Sequence, residues 1–485
     1  MYKNLISSKK NILLLSLFAF FMCLPLVSNL FKASLAFINA ADFGIYQKAI
    51  LEIAHGPDWN PYVTITDLKI LNDHFDPAIY IAAAFTKIFN VRLYGFIVFE
   101  WLWYLAASAL IVFTSKSTKQ LFIGLLLFVF SRGLLEAIEF PIHPTTWSVF
   151  PAMLFIYFIH TKKYAAAFTT ALALATFREI YFFMFAGAAA WFFLQKNWKQ
   201  MALYLALSVT LIAFLLFVRP MLFGGPIAQY SHAAKSQGFI GLASAFINFK
   251  YPWKVFLPLI IAMLLIIRSS KFKFLNQTTC FALLFTLPGI LIHIVSGRMV
   301  HHHAVPFVAP LIMALHMDNI ASLLKSKKVI WGFIILSIVV ASSRHTKMIK
   351  YFVDSSSYYR TNVEEKNKSL HELKEVFALL DENSTILSTG GVIPYLQKAS
   401  LKLYHYSNLT PKNLTPDYII LERNGIGDPF PLSYEQLEKA INCLSSNERI
   451  LAIMSNKHFL IFSGAEIKDC LRLRENWPNI VIPVQ

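Results

Sequence analysis

Residues Asn11 to Leu30 run for twenty positions without a charged side chain. At roughly 1.5 Å per helical residue that length crosses a hydrocarbon core about 30 Å thick, and a helix satisfies its own backbone polar groups there. Lys3, Lys9 and Lys10 precede the run. A cleaved signal peptide would have a shorter apolar core and a small-x-small site, which the stretch before Asp42 lacks, so the segment reads as a retained anchor. Ten further apolar runs follow: Leu93 to Thr114, Leu121 to Ala137, Trp147 to Ile159, Ala165 to Phe177, Ile180 to Leu194, Met201 to Val218, Val255 to Ile267, Thr278 to Val295, Val305 to Met317 and Val329 to Ala341.

With 56% hydrophobic and 15% charged residues, the chain is too apolar to present a wet surface on all sides. Its formal charge of +17 does not point to nucleic acid, because the Lys and Arg residues sit in short clusters between apolar runs and form no basic face. Those clusters are Lys116 with Lys119, Lys162 with Lys163, Lys196 with Lys199, Arg268 with Lys271 and Lys273, and Lys325 with Lys327 and Lys328. They fall in alternate loops. Placing them and the N-terminus in the cytoplasm satisfies the positive-inside rule if Pro77 to Phe89 lies in the outer interface and does not cross. The expectation is a mainly α, polytopic transmembrane helical bundle of about 11 spans in the inner or plasma membrane, residues 1–349, with a first outer loop at 31–92. Cys23 and Cys280 fall within apolar runs and read as small hydrophobes.

Beyond about residue 350 the composition changes. An acidic and amide-rich helical stretch leads into TILST, DYIIL, ILAIM and HFLIF, short apolar runs bounded by turn formers. ILAIM and HFLIF, separated by SNK, read as a hairpin, and residues 350–485 as a small extracytoplasmic α/β domain. Gly390 and Gly391 lack the spacing of a dinucleotide fingerprint and read as a turn. In this segment Cys443 and Cys470 are either a disulfide or two free thiols.

On this topology the unusual polar residues gather on the outer face, where ionisable groups near membrane depth are costly enough to imply a water-filled cavity. The first outer loop carries Asp42, then Asp73, His74 and Asp76 just before Pro77. Such a carboxylate can be a general base toward a hydroxyl, a metal ligand, or a helix cap. His143 lies between two prolines in FPIHPTTW, presented as a lone imidazole or spent on backbone carbonyls of a tight loop. Arg178 and Glu179 interrupt the apolar pattern at a turn, either neutralising each other or holding a lipid phosphate. Arg298 with His301, His302 and His303 forms a phosphate clamp or a solvated interfacial patch. Three consecutive histidines cannot all face one metal, and no GxSxG, HExxH, P-loop or CxxC pattern is present.

Taken in order, DFGIYQ with a downstream HG, NDHFDP, IHPTTWSVFPAMLFIYF, FREIYFF and the Arg-to-His stretch ending AVPFVAPL resemble the predicted membrane-protein family called domain of unknown function 2079. That family in turn resembles the glycosyltransferase C superfamily. The resemblance implies a sugar donor carried on a polyprenyl phosphate, a glycan, protein or lipid acceptor, and Asp42 as the base that activates it. It also implies substrate-binding roles for Asp73, His74, Asp76, His143, Arg178, Glu179, Arg298, His302 and His303. Two positions depart from the family pattern: Arg178 stands where an acidic-flanked Lys is usual, and Thr145 where Glu normally follows His-Pro. The second removes a carboxylate, and nothing in the sequence requires a divalent cation. The competing class is a non-catalytic transporter or lipid-binding membrane protein using the same outer cavity; a scaffold that kept the fold without the chemistry is a third.

Overall fold

The computed structural model describes residues 9–34, 40–63, 68–139, 142–223, 255–257, 259–262, 264, 277–296, 301–320, 327–353, 363–381, 384–388, 393, 395–396, 402–405, 416–422, 434–448, 450–456 and 458–463. Its contacts divide the chain into two compact units. The first comprises Met1–Ser28, His74–Ile79 and Ile97–Val353, the second Asn29–Asp73, Tyr80–Phe96 and Asp354–Gln485. Most of the 31–92 loop is therefore grouped with the tail, and the short segment His74–Ile79 is grouped with the helices.

The first unit is helical. Among the described residues, Leu15–Ser34, Leu93–Thr114 and Trp198–Phe223 are long and apolar enough to cross a membrane, and Thr118–Val129 with Arg132–Ile138 forms a further apolar pair bent by 53°. Ser131 sits at that bend as the N-cap of Arg132–Ile138, its hydroxyl accepting from the Leu134 N–H. Tyr164–Ala175, Ile180–Leu194, Thr278–His293 and Val305–Met317 are shorter apolar helices. Val149–His160 packs among them with Val149, Ala152, Met153, Phe155 and Ile156 fully buried. Phe155 is the hub of an aromatic cluster, its ring 5.1 Å from that of Phe285, 5.7 Å from Phe281 and 5.9 Å from Tyr204. Rings at these separations add directional contacts to the apolar packing.

Close helix approach depends on one small residue. A Cβ built at Gly187 would overlap the Leu284 carbonyl, so glycine alone lets Ile180–Leu194 lie backbone to backbone against Thr278–Ser296. Pro25 lies inside the first helix, and the indole N–H of Trp101 donates to the Met22 carbonyl at 2.9 Å in the turn before it.

The second unit contains the helix Ala40–His55, which bears Asp42, and a two-stranded ribbon of β1 (Tyr62–Val63) and β2 (Leu68–Lys69). Ile79–Phe89 has 11 residues, too few to cross a bilayer at about 1.5 Å each. The tail forms a five-stranded mixed sheet in the order β4 (Lys402–His405), β3 (Thr385–Ser388), β5 (Tyr418–Glu422), β7 (Phe459–Ser463), β6 (Leu451–Ser455). β3 runs parallel to β4 and β5, and β5–β7–β6 is antiparallel, so the ILAIM and HFLIF runs do form a hairpin. Helix Tyr434–Ser446 is amphipathic, and its Leu437 and Leu444 pack on Ile419, Leu421, Leu460 and Phe462. Cys443 on this helix is disulfide-bonded, its partner lying outside the described residues, and Cys23 and Cys280 are free thiols. Gly390 and Gly391 lie outside the described residues.

Candidate active site

The site is built where His74–Ile79 meets the turn between Tyr164–Ala175 and Ile180–Leu194 in the first unit. The segment His74–Asp76 is a tight turn, closed by the Asp76 N–H donating to the His74 carbonyl at 3.0 Å. Phe75 packs its ring 4.9 Å from Phe214 and 6.3 Å from Phe182. That aromatic anchor leaves His74 and Asp76 facing Arg178. Just beyond Pro77 the Ala78 N–H donates to the Thr176 carbonyl at 2.8 Å, tying the segment to the turn two residues before Arg178.

Four ionisable side chains then form a chain. Arg178 donates from Nη1 to Asp76 Oδ2 at 3.0 Å and from Nη2 to His74 Nε2 at 2.9 Å, and His74 Nδ1 lies 3.0 Å from Glu179 Oε1. A guanidinium has only donors, so Nε2 of His74 accepts and Nδ1–H donates to Glu179; the neighbours fix the imidazole as the neutral Nδ1–H tautomer. Arg178 is 3% exposed and Asp76 1%, which makes this a buried pair with little screening. Burial alone would raise the Glu179 carboxyl, but Arg178 and His74 beside it hold it well below the usual carboxylate range. Glu179 is also the N-cap residue of Ile180–Leu194, where negative charge is favoured by the helix dipole.

His143 belongs to the same neighbourhood. It is buried and caps the short helix Pro144–Trp147, Nδ1 accepting from the Thr145 N–H at 3.4 Å. Burial first, then the charge of the nearby Arg178 guanidinium, push its imidazole well below its ordinary value of 6.5. The folded state thus keeps His143 neutral where the unfolded chain would take up a proton. Stability contributed by that neutrality is intact above about pH 6.5 and is lost as pH falls below it, at up to about 1.4 kcal/mol per pH unit. Thermal denaturation midpoints taken from pH 7 to pH 5 should fall for the wild type and fall less steeply for His143→Gln. Glu179 does not confound that window, since stability from a depressed carboxylate is lost only at pH below its unfolded value of about 4.3.

His303 lies in the 3-10 turn His301–Ala304 that leads into Val305–Met317, its ring 5.2 Å from that of His293. The structure therefore brings together His74, Asp76, His143, Arg178, Glu179 and His303. The Asp42 backbone lies on the helix Ala40–His55 and that of Asp73 ends Ile70–Asp73, both in the other unit; their side chains, the side chain of His302, and Arg298 altogether lie outside the described residues. Among the described residues no group of three or more His, Cys, Asp or Glu is placed to hold a metal ion.

Two polar clusters were not singled out from the sequence. Glu100 is a lone acid inside Leu93–Thr114, and Oε2 accepts from the Ile142 N–H at 2.7 Å, the His143 N–H at 3.1 Å and the Trp147 indole N–H at 3.1 Å. A single carboxylate in an apolar span is costly, and that was the available signal. The second cluster joins Arg132–Ile138 to the long helix Lys327–Val353. Glu136 Oε1 accepts from Arg132 Nε and Arg344 Nε, each at 2.8 Å, and Arg344 reaches Glu139 at 3.2 Å. It reads as an ionic clasp between helices.

A protein-family model described as "Predicted membrane protein (DUF2079)" matches residues 32–450. No curated protein matches the chain. Among solved structures, the crystal structure of ArnT from Cupriavidus metallidurans bound to undecaprenyl phosphate shares the fold with a TM-score of 0.52 at 11% identity, covering 93% of this chain and 97% of that one.

Proposed function

We infer, from the premise that the chain belongs to the DUF2079 family of predicted membrane proteins, that it moves a sugar from a polyprenyl-phosphate donor to an acceptor on the outer face of the membrane. The observation that carries this reading is the buried Glu179–His74–Arg178–Asp76 chain with His143 beside it, at the turns of an integral membrane fold. Two further facts support it. The fold is shared with ArnT, crystallised with undecaprenyl phosphate, and the motifs resemble the glycosyltransferase C superfamily.

In the proposed reaction an acceptor hydroxyl attacks the anomeric carbon of the sugar. Asp42 takes the hydroxyl proton, the new C–O bond forms, and the old bond to phosphate oxygen breaks with its electron pair leaving on the polyprenyl phosphate. Charge grows on that phosphate. Arg178, fixed by Asp76 and His74, balances it as a donor already oriented before reaction, and Arg298, His143, His302 and His303 add to it. Asp73, His74 and Glu179 keep the base and the cations in place. About eleven crossings, a cytoplasmic N-terminus and a small α/β domain outside complete the arrangement; the disulfide at Cys443 supports an oxidising compartment for that domain.

Proteoliposomes separate this reading from the transporter or lipid-binding alternative. Supplied with an undecaprenyl-phosphate-linked sugar and a membrane extract as acceptor source, the protein should release undecaprenyl phosphate and glycosylate a component of the extract. Movement of the intact lipid-linked sugar between leaflets, with no bond broken, would favour the transporter.

A further inference from the structure

We propose that Glu100 is the positioning residue for His143. The assignment rests on the reading of His143 as part of the transfer site, and its geometry stands independently of that reading. Glu100 is 1% exposed, and three N–H groups converge on one of its carboxylate oxygens: two consecutive backbone amides, Ile142 and His143, and the indole of Trp147. Its other oxygen, Oε1, has no hydrogen-bond partner among the described residues. That one carboxyl oxygen satisfies two backbone amides and an indole that would otherwise be unpaired in the interior.

The conformation it holds is an unfavourable one. Ile142 has φ 63°, in the left-handed region where a β-branched side chain crowds its own backbone, and it is fully buried. Strain of this kind persists only where the surroundings over-determine it, and it gathers at functional sites. The two amides that Glu100 binds flank that strained residue's Cα and carbonyl, so the carboxylate fixes the direction in which the chain enters Pro144–Trp147. Trp147 is seated at 5.0 Å from the Phe99 ring, one residue before Glu100, which closes the frame. Within it, the Thr145 N–H holds Nδ1 of His143 as an acceptor, making the imidazole an Nε2–H donor. Backbone and tautomer are set by separate contacts, and Glu100 controls the first.

Hydrogen–deuterium exchange in nanodiscs tests the frame without any substrate. Glu100→Ala should speed exchange of the 142–147 amides at least about tenfold while the helices Ile180–Leu194 and Val305–Met317 keep wild-type protection. Glu100→Gln retains an acceptor oxygen and should give an intermediate, equally local change; it decides the matter if the alanine variant fails to fold. Unchanged exchange at 142–147 in the variant that folds, or loosening spread evenly over the protein, overturns the assignment. In the transfer assay with undecaprenyl-phosphate-linked sugar, Glu100→Ala should lower kcat by about 10- to 100-fold with KM changed far less, and Glu100→Gln should recover most of the loss. The double variant with His143→Ala should be no slower than His143→Ala alone, whereas losses that multiply would show that Glu100 does not act through His143. A wild type that transfers nothing defeats the proposed function and leaves the exchange result to decide on Glu100.

Discussion

Replacing Arg178 with Gln should destabilise the first unit by about 3–5 kcal/mol, the range found when one partner of a buried ion pair is removed. Asp76 and Glu179 would then face each other's charge without the guanidinium, and His74 Nε2 would lose its donor. Arg178 holds the Glu179 carboxyl low in the wild type, an advantage that the wild type itself loses as the pH falls below the ordinary carboxylate range, so the loss should shrink there. Arg178→Lys keeps the charge and should recover only part of the stability, because a single ammonium cannot repeat the two-directional fork to Asp76 and His74. Pairing Arg178→Gln with Asp76→Asn should restore more than the sum of the single effects allows, since the uncompensated charge is removed together with its partner. Denaturation midpoints of the four variants in one detergent check this directly.

The Asp42→Asn variant should fold as the wild type does and lose transfer almost completely. The substitution keeps shape and removes the only function assigned to the side chain, acceptance of the acceptor's proton. General base catalysis contributes about 10²–10⁴-fold, and that is the expected loss in kcat. KM for the lipid-linked donor should move little, because donor binding is assigned to the arginines and histidines. Equal turnover by Asp42→Asn and wild type would remove Asp42 from the mechanism while leaving Arg178 and its partners to be explained.

Much of the fold was legible because lipid imposes a simple rule, and apolar runs such as Leu93 to Thr114 and Ile180 to Leu194 end where their helices end. The tail hairpin was equally plain from ILAIM, SNK and HFLIF. The site was legible as residue types: Arg178, Glu179, His74, Asp76 and His143 all interrupt apolar sequence at turns. Their partnerships were not. Asp76 and Arg178 are 102 positions apart, and the sequence around the turn offers Arg178 either Glu179 or a phosphate; the short contacts run to Asp76 and His74, with Glu179 3.8 Å from Arg178. Local sequence offers the nearest opposite charge; which charge is met in space depends on how Phe75 packs against Phe214. Glu100 escaped notice for a related reason. Its three donors lie more than forty residues downstream, and within its own helix it is one charged letter in a largely apolar run.

If the polar chemistry is gathered on the outer face, the sidedness of cysteine labelling must show it. Trp59, in the first loop, and Lys163, beyond the end of Val149–His160 opposite to His143, are both exposed. With Cys23 and Cys280 replaced by alanine, Trp59→Cys should react with a membrane-impermeant thiol reagent in intact cells, and Lys163→Cys only after the membrane is opened. Reaction of both from the same side would put the first loop and His143 on opposite faces, and the proposed site could not assemble.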